Sequence, residues 1–282
     1  MTRVFQMPVT VFAVACLSSG GWFCQRHGRA ASAVETPAPS PAAEMVVAGL
    51  GGFRGIAAEV VWFRADRLQS EGRSAELAQL ATWLTFFEPH TAEVWVYAAW
   101  NLAYNISVMM PTPEDRWRWI EAGLRLLRDD GLRLNPGDPV VYRELSWLFL
   151  QKIGGHLDSA APHYRAVWKT RVEEARKSGT LAALGFDEKR MKAVDDEYGA
   201  QDWTQPMAAA LYWAVRGLEV ATRADRHAEL RQLVYQALMF ESRADARFAP
   251  RALKELRTAY DENPDPALQQ MIDFFRKRHG LE

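Results

Sequence analysis

Two prolines set the grammar of this chain. Pro89 closes an apolar segment and is followed by His90, Thr91 and then Trp95; Pro136 closes another and is followed by Gly137, Asp138 and then Tyr142 at the same spacing. Each reads as a helix that stops at proline, a short turn, a polar cap, and an aromatic residue one turn into the next helix. Such repeated punctuation predicts stacked helical hairpins, in which each pair buries its apolar face against a neighbour. No stretch from Met45 onward alternates apolar and polar residues in the manner of strands, so the expected fold class is all-α.

Start and stop signals divide the body, residues 45–282. Gly51-Gly52-Phe53-Arg54-Gly55 leads into a helix carrying Ile56, Val60, Val61, Phe63, Ala65 and Leu68 and ending near Ser70. The next helix begins at Ser74 and carries Leu77, Leu80, Ala81, Leu84 and Phe87. A third runs from Ala92 to about Val108, where Pro111 breaks it. Thr112-Pro113-Glu114-Asp115 combines a cap, a proline at the first helical position and acids at the positive helix end. Asp138-Pro139 and Asp265-Pro266 repeat that start. Further helices are expected over 158–178, 187–197, 206–222, 225–241, 249–262 and 266–279. The charged run Lys169 to Lys177 reads as a solvated face.

The first-helix spacing resembles the tetratricopeptide repeat. Trp95, Ala98, Ala99 and Leu102 match it, as do Tyr142, Leu145, Ser146 and Phe149; Pro89 and Pro136 fall at the closing position. Trp213, Gly217 and Val220 match the start of another unit. The resemblance implies an α-solenoid of antiparallel helix pairs. It also extends to membrane-anchored bacterial proteins with tetratricopeptide-like repeats, and it implies an architecture with no particular activity.

The N-terminus, residues 1–33, reads as an address. Val4 to Phe23 holds no charged residue, with Arg3 before it and Arg26 and Arg29 after it. Three readings stay open. Ala13-Val14-Ala15-Cys16 resembles a bacterial lipobox, which implies cleavage before Cys16 and a lipid on its thiol. The stretch is also long enough for a single membrane-spanning helix at about 20 residues. Ala31-Ser32-Ala33 offers an ordinary cleavage site. Residues 34–44, VETPAPSPAAE, form a linker whose alternating prolines favour an extended spacer. Cys16 and Cys24 are the chain's two cysteines, so the body has no disulfide and no thiolate metal site.

Catalytic signatures are scarce. Gly49 to Gly55 lacks the lysine-serine pair and preceding strand of a phosphate loop. His156, Asp158 and His163 lack the spacing that puts two metal ligands on one helical face, so no metal or other cofactor is expected. A formal net charge of −1 gives no electrostatic footprint for nucleic acid. In Arg116-Trp117-Arg118-Trp119 the helix spreads the residues around its cylinder, which favours packed tryptophans and solvated arginines over a binding patch. Tyr198, Asp202 and Trp203 mark an aromatic loop that serves either function or packing.

Asn101 and Asn105 are four residues apart, flanked by Trp100 and Tyr104. Buried amides need partners, found in neighbouring helices or in the backbone of a bound peptide. The tetratricopeptide resemblance implies a cation and an asparagine at set first-helix positions, which hold Val96 and Trp100 in one unit and Arg143 and Trp147 in the next; Trp100, Asn101, Tyr104, Asn105, Arg143 and Trp147 form the expected binding groove. The overall expectation is a membrane-tethered, exported, non-catalytic scaffold in the bacterial envelope that binds a protein or peptide partner. The alternatives are an envelope enzyme acting on glycan, recognised by paired carboxylates across a cleft, and a permanent subunit of a membrane complex.

Overall fold

The computed structural model describes residues 54–71, 73–156 and 158–281. Residues 1–33, expected to be an export signal or membrane anchor, with Cys16, and the expected linker 34–44 lie outside these residues. Every regular element among the described residues is helical. The chain divides into two units at Phe87 and Glu88.

The first unit contributes one hairpin, α1 (Arg54–Ser70) and α2 (Ser74–Phe87). Ala58, Val61, Ala65 and Leu68 recur at helical spacing and are buried, as are Leu84 and Phe87 of α2. Three other apolar residues of this helix, Ile56, Val60 and Phe63, are exposed. The physical reason is geometric. α1 is apolar on two opposite faces, and periodicity alone cannot tell which one α2 covers.

The second unit begins with α3 (Ala92–Trp100), α4 (Pro113–Arg125) and α5 (Pro139–Trp147). Each continues into a wide π-helical turn: Asn101–Ile106, Leu126–Gly131 and Leu148–Ile153. The turns close with N–H groups bonded five residues back, from Ser107 to Leu102, Leu132 to Leu127 and Gly154 to Phe149. A tight turn, Ser107–Met109, then ends the third helix. Next come α6 (Ala161–Ser178), α7 (Glu188–Tyr198), α8 (Pro206–Val220), α9 (Ala224–Glu241), α10 (Ala249–Glu262) and α11 (Pro266–His279).

The start signals act largely as expected. Thr112 Oγ1 accepts the Asp115 amide at 3.1 Å, Asp138 accepts that of Val140 at 3.0 Å, and Asp265 accepts that of Ala267 at 2.8 Å. Thr91 differs: its side chain makes no cap bond, and its carbonyl receives the Val94 amide at 3.2 Å.

Within this unit α3 packs against α4 and α5, and α9 packs against α5, α8 and α10. α5 finds a major partner in α8, far along the chain, and residues 154–205 with α6 and α7 intervene. Two glycines permit close helix crossings. A methyl group on Gly123 would sit 2.8 Å from the Ala99 carbonyl oxygen, where α4 crosses α3. One on Gly217 would meet Leu230 at 2.5 Å and Tyr142 Cβ at 3.0 Å, where α8 lies between α9 and α5.

The segment between α5 and α8 is sealed by aromatic rings. Phe186 contacts Tyr212 edge-on at 5.0 Å, Trp203 at 5.8 Å and Trp168 at 6.0 Å, while Trp168 meets Phe149 at 4.7 Å. Trp203 is therefore part of the core.

Candidate binding site in a polar seam

The six groove residues sit on two helices that pack together. Trp100, Asn101, Tyr104 and Asn105 lie at the junction of α3 with its wide turn, and Arg143 and Trp147 lie on α5. Five of them are partly exposed; Asn101 is fully buried. Asn105 Nδ2 donates to Asn101 Oδ1 at 2.9 Å, so the amides satisfy one another in part. The Trp100 and Tyr104 rings stack at 5.7 Å with 27° between planes.

Beneath this surface runs a seam of buried polar groups. Asn101 Nδ2, the Tyr104 hydroxyl and Glu144 Oε1 make no hydrogen bond of normal geometry within the protein. Buried groups left in this state cost on the order of 1–3 kcal/mol each, so three on neighbouring helices form an unusual concentration. Glu144 is 4% exposed, and burial raises its pKa while Arg143, 3.7 Å away, opposes the shift. Burial raises the Tyr104 pKa as well, with the Glu144 charge adding to it and the nearby Trp147 indole opposing. Arg143 also faces Glu229 of α9 at 3.6 Å, which extends the row across a third helix.

Lys152, from the wide turn after α5, joins this seam to a charged hub. Its ammonium lies 5.3 Å from the centre of the Tyr104 ring and donates to Asp158 at 2.8 Å. Asp158 also accepts from the Tyr164 hydroxyl at 3.1 Å, from the Ala160 amide at 3.0 Å and from Arg116 at 3.4 Å. Burial works to raise the Asp158 pKa, but the Lys152 and Ala160 hydrogen bonds and the Lys152 charge carry it below the ordinary carboxylate value.

Asp158 is thus a structural partner of cations. His163 pairs loosely with Glu114 at 3.7 Å, and no group of three metal-binding side chains occurs among the described residues. The tryptophan-arginine run divides in an unexpected way. Trp117 is buried, but Arg116, expected in solvent, bonds the Met110 carbonyl at 2.9 Å and reaches Asp158. Glu144 and Lys152 carried no sequence signal beyond being charges on apolar helices, and such charges are usually solvated.

A second titratable cluster sits at the end of α9. The Glu241 carboxyl is pushed up to about 8, first by burial and then by Asp202, Asp245 and Asp195. Asp195 is committed to the Gln201 amide at 2.9 Å and the Trp203 indole at 3.3 Å. Between α7 and α8, a cavity of about 120 Å³ lies beside the Arg190–Glu219 pair. That is well below the several hundred Å³ of a small-molecule site.

No family model, curated protein or solved structure matches the chain.

Proposed function

We propose that this protein is a membrane-tethered, non-catalytic scaffold of tetratricopeptide-like helix pairs, exported to the bacterial envelope, that holds a protein or peptide partner. In this reading α3–α4, α5–α8 and α9–α10 are successive pairs, and residues 154–205 are an insertion within the middle one. The first helices α3, α5 and α9 then adjoin one another and turn one row of side chains to a partner: Trp100, Tyr104 and Asn105, then Arg143 and Trp147, then Glu229.

One observation carries the proposal: the polar atoms Asn101 Nδ2, Tyr104 OH and Glu144 Oε1 lie buried beneath that aromatic surface, with the Trp147 indole beside Tyr104. They supply a donor, a group able to do both, and an acceptor. Above them the partly exposed Trp100, Tyr104 and Trp147 offer a peptide aromatic area at low entropy cost, and the partly exposed Asn105 amide offers its backbone a hydrogen-bonding group. A glycan-directed enzyme would need two carboxylates facing each other across a cleft. Glu144 instead sits buried beside Arg143.

Site-specific photocrosslinking in membranes of the native host tests the reading. A photoreactive residue at Trp147 should give a discrete protein adduct that Arg143→Glu weakens, and one at the exposed Lys169 should give none. Equal adducts from both positions, or none from Trp147, would remove the proposal.

A further inference from the structure

α1 has two apolar faces, and α2 covers one. Ala58, Val61, Ala65 and Leu68 are at most 4% exposed, whereas Ile56, Val60 and Phe63 are 59%, 52% and 76% exposed. Those three recur at steps of four and three, and Arg67 continues the row, so they form one stripe along the helix. Exposed apolar stripes mark contacts.

The chain preceding α1 points to the occupant. The uncharged segment Val4–Phe23 is separated from Arg54 by residues 24–53. Fully extended, such a length reaches on the order of 100 Å, so an N-terminus held at a bilayer keeps α1 within range of it. The hairpin, residues 54–87, carries four arginines against four acids, so no net negative charge repels it from a headgroup layer. A second copy of the chain fits less well. Three side chains cover far less than the roughly 800 Å² per partner of a stable interface, whereas a bilayer demands no matching shape.

We infer that the Ile56–Val60–Phe63 face of α1 rests in the headgroup–acyl boundary of the membrane, as a second contact beside the N-terminal segment. This rests on the tethered reading above. The hairpin then fixes the height and tilt at which the first unit stands on the surface, which a proline-rich linker alone would leave free.

The test uses the full-length chain with an environment-sensitive fluorescent amino acid at Phe63, reconstituted in vesicles of phosphatidylcholine and phosphatidylglycerol. Flotation reports the tether, and quenching reports the position of α1. The expected result is flotation, a blue-shifted emission, and severalfold stronger quenching by lipids brominated on their acyl chains than by aqueous iodide. Flotation with iodide quenching places the stripe in water and overturns the inference while leaving the tether standing. Flotation with neither quencher effective means that protein covers the stripe, which also overturns it. A chain that fails to float overturns both. The exposed position of Phe63 makes the substitution neutral for folding.

Discussion

The Tyr142 hydroxyl donates to the Pro136 carbonyl at 2.9 Å, closing the turn that its own helix leaves behind. Trp95 does the same to Pro89 at 2.8 Å, again six residues back. The aromatic residue after each proline is thus a clasp as well as a wedge, and two different ring types perform one task. Asn135 Nδ2 reaches the same Pro89 carbonyl at 3.1 Å, which stitches the first turn to the second.

Removing one clasp should cost a modest and measurable amount. Tyr142→Phe keeps the ring and loses one hydrogen bond, so urea unfolding should show about 1 kcal/mol of lost stability. Trp95→Phe and Asn135→Ala share an acceptor, so their combined effect should differ from the sum of the two. Strict additivity would mean that the shared carbonyl does not couple them.

Asp158 gives a test of sign. Its folded pKa lies below the unfolded value of 3.8, so the stability it contributes is complete above about pH 3.8 and is lost as pH falls through the folded value. Asp158→Asn should therefore flatten the acid limb of the stability curve. It should also destabilise at neutral pH by about 3–5 kcal/mol, because Lys152 is left buried without its partner. Lys152→Met with Asp158→Asn should recover part of that loss.

Glu241 runs in the opposite sense. Its folded pKa of about 8 lies above the ordinary 4.5, so the folded state holds a proton that the unfolded chain releases earlier. Its contribution is present below about pH 4.5 and is lost as pH rises toward 8. Glu241→Gln should raise the midpoint of thermal unfolding at pH 8 and change it little at pH 5. An equal shift at both values would assign the effect to something other than titration.

Gly123→Ala should destabilise even though alanine favours helix by about 1 kcal/mol. The new methyl group meets a backbone oxygen of α3 at 2.8 Å, which cannot swing aside, and overpacking of this kind costs about 1–3 kcal/mol. Denaturant unfolding with an unchanged m-value would read this directly. A stabilised variant would show that the crossing of α3 and α4 is looser than described.

Much of the fold is written locally. Asp138-Pro139 and Asp265-Pro266 place helix starts because cap and proline act within three residues. The wide turns after Trp100, Arg125 and Trp147 left no such mark, since one extra residue per turn is set by packing on either side of it. The partnership of α5 with α8 was equally hidden, as local patterns name sequence neighbours and residues 154–205 intervene. At the candidate site, the pairing of Asn101 with Asn105 followed from helical spacing. The burial of Glu144 and Lys152 did not, because it is imposed by packing against other elements, Tyr104 beside Glu144 and the Asp158 loop beside Lys152.

The long separation of α5 from α8 also has a consequence in time. During synthesis at about 5–20 residues per second, α5 leaves the ribosome several seconds before its main partner exists. Over that interval Tyr142, Leu145 and Ser146 have no α8 to lie against. α6 follows first and covers the wide turn after α5, through Trp168 on Phe149. The nascent chain therefore passes through a stage in which α5 is half clothed, a natural point of engagement for chaperones.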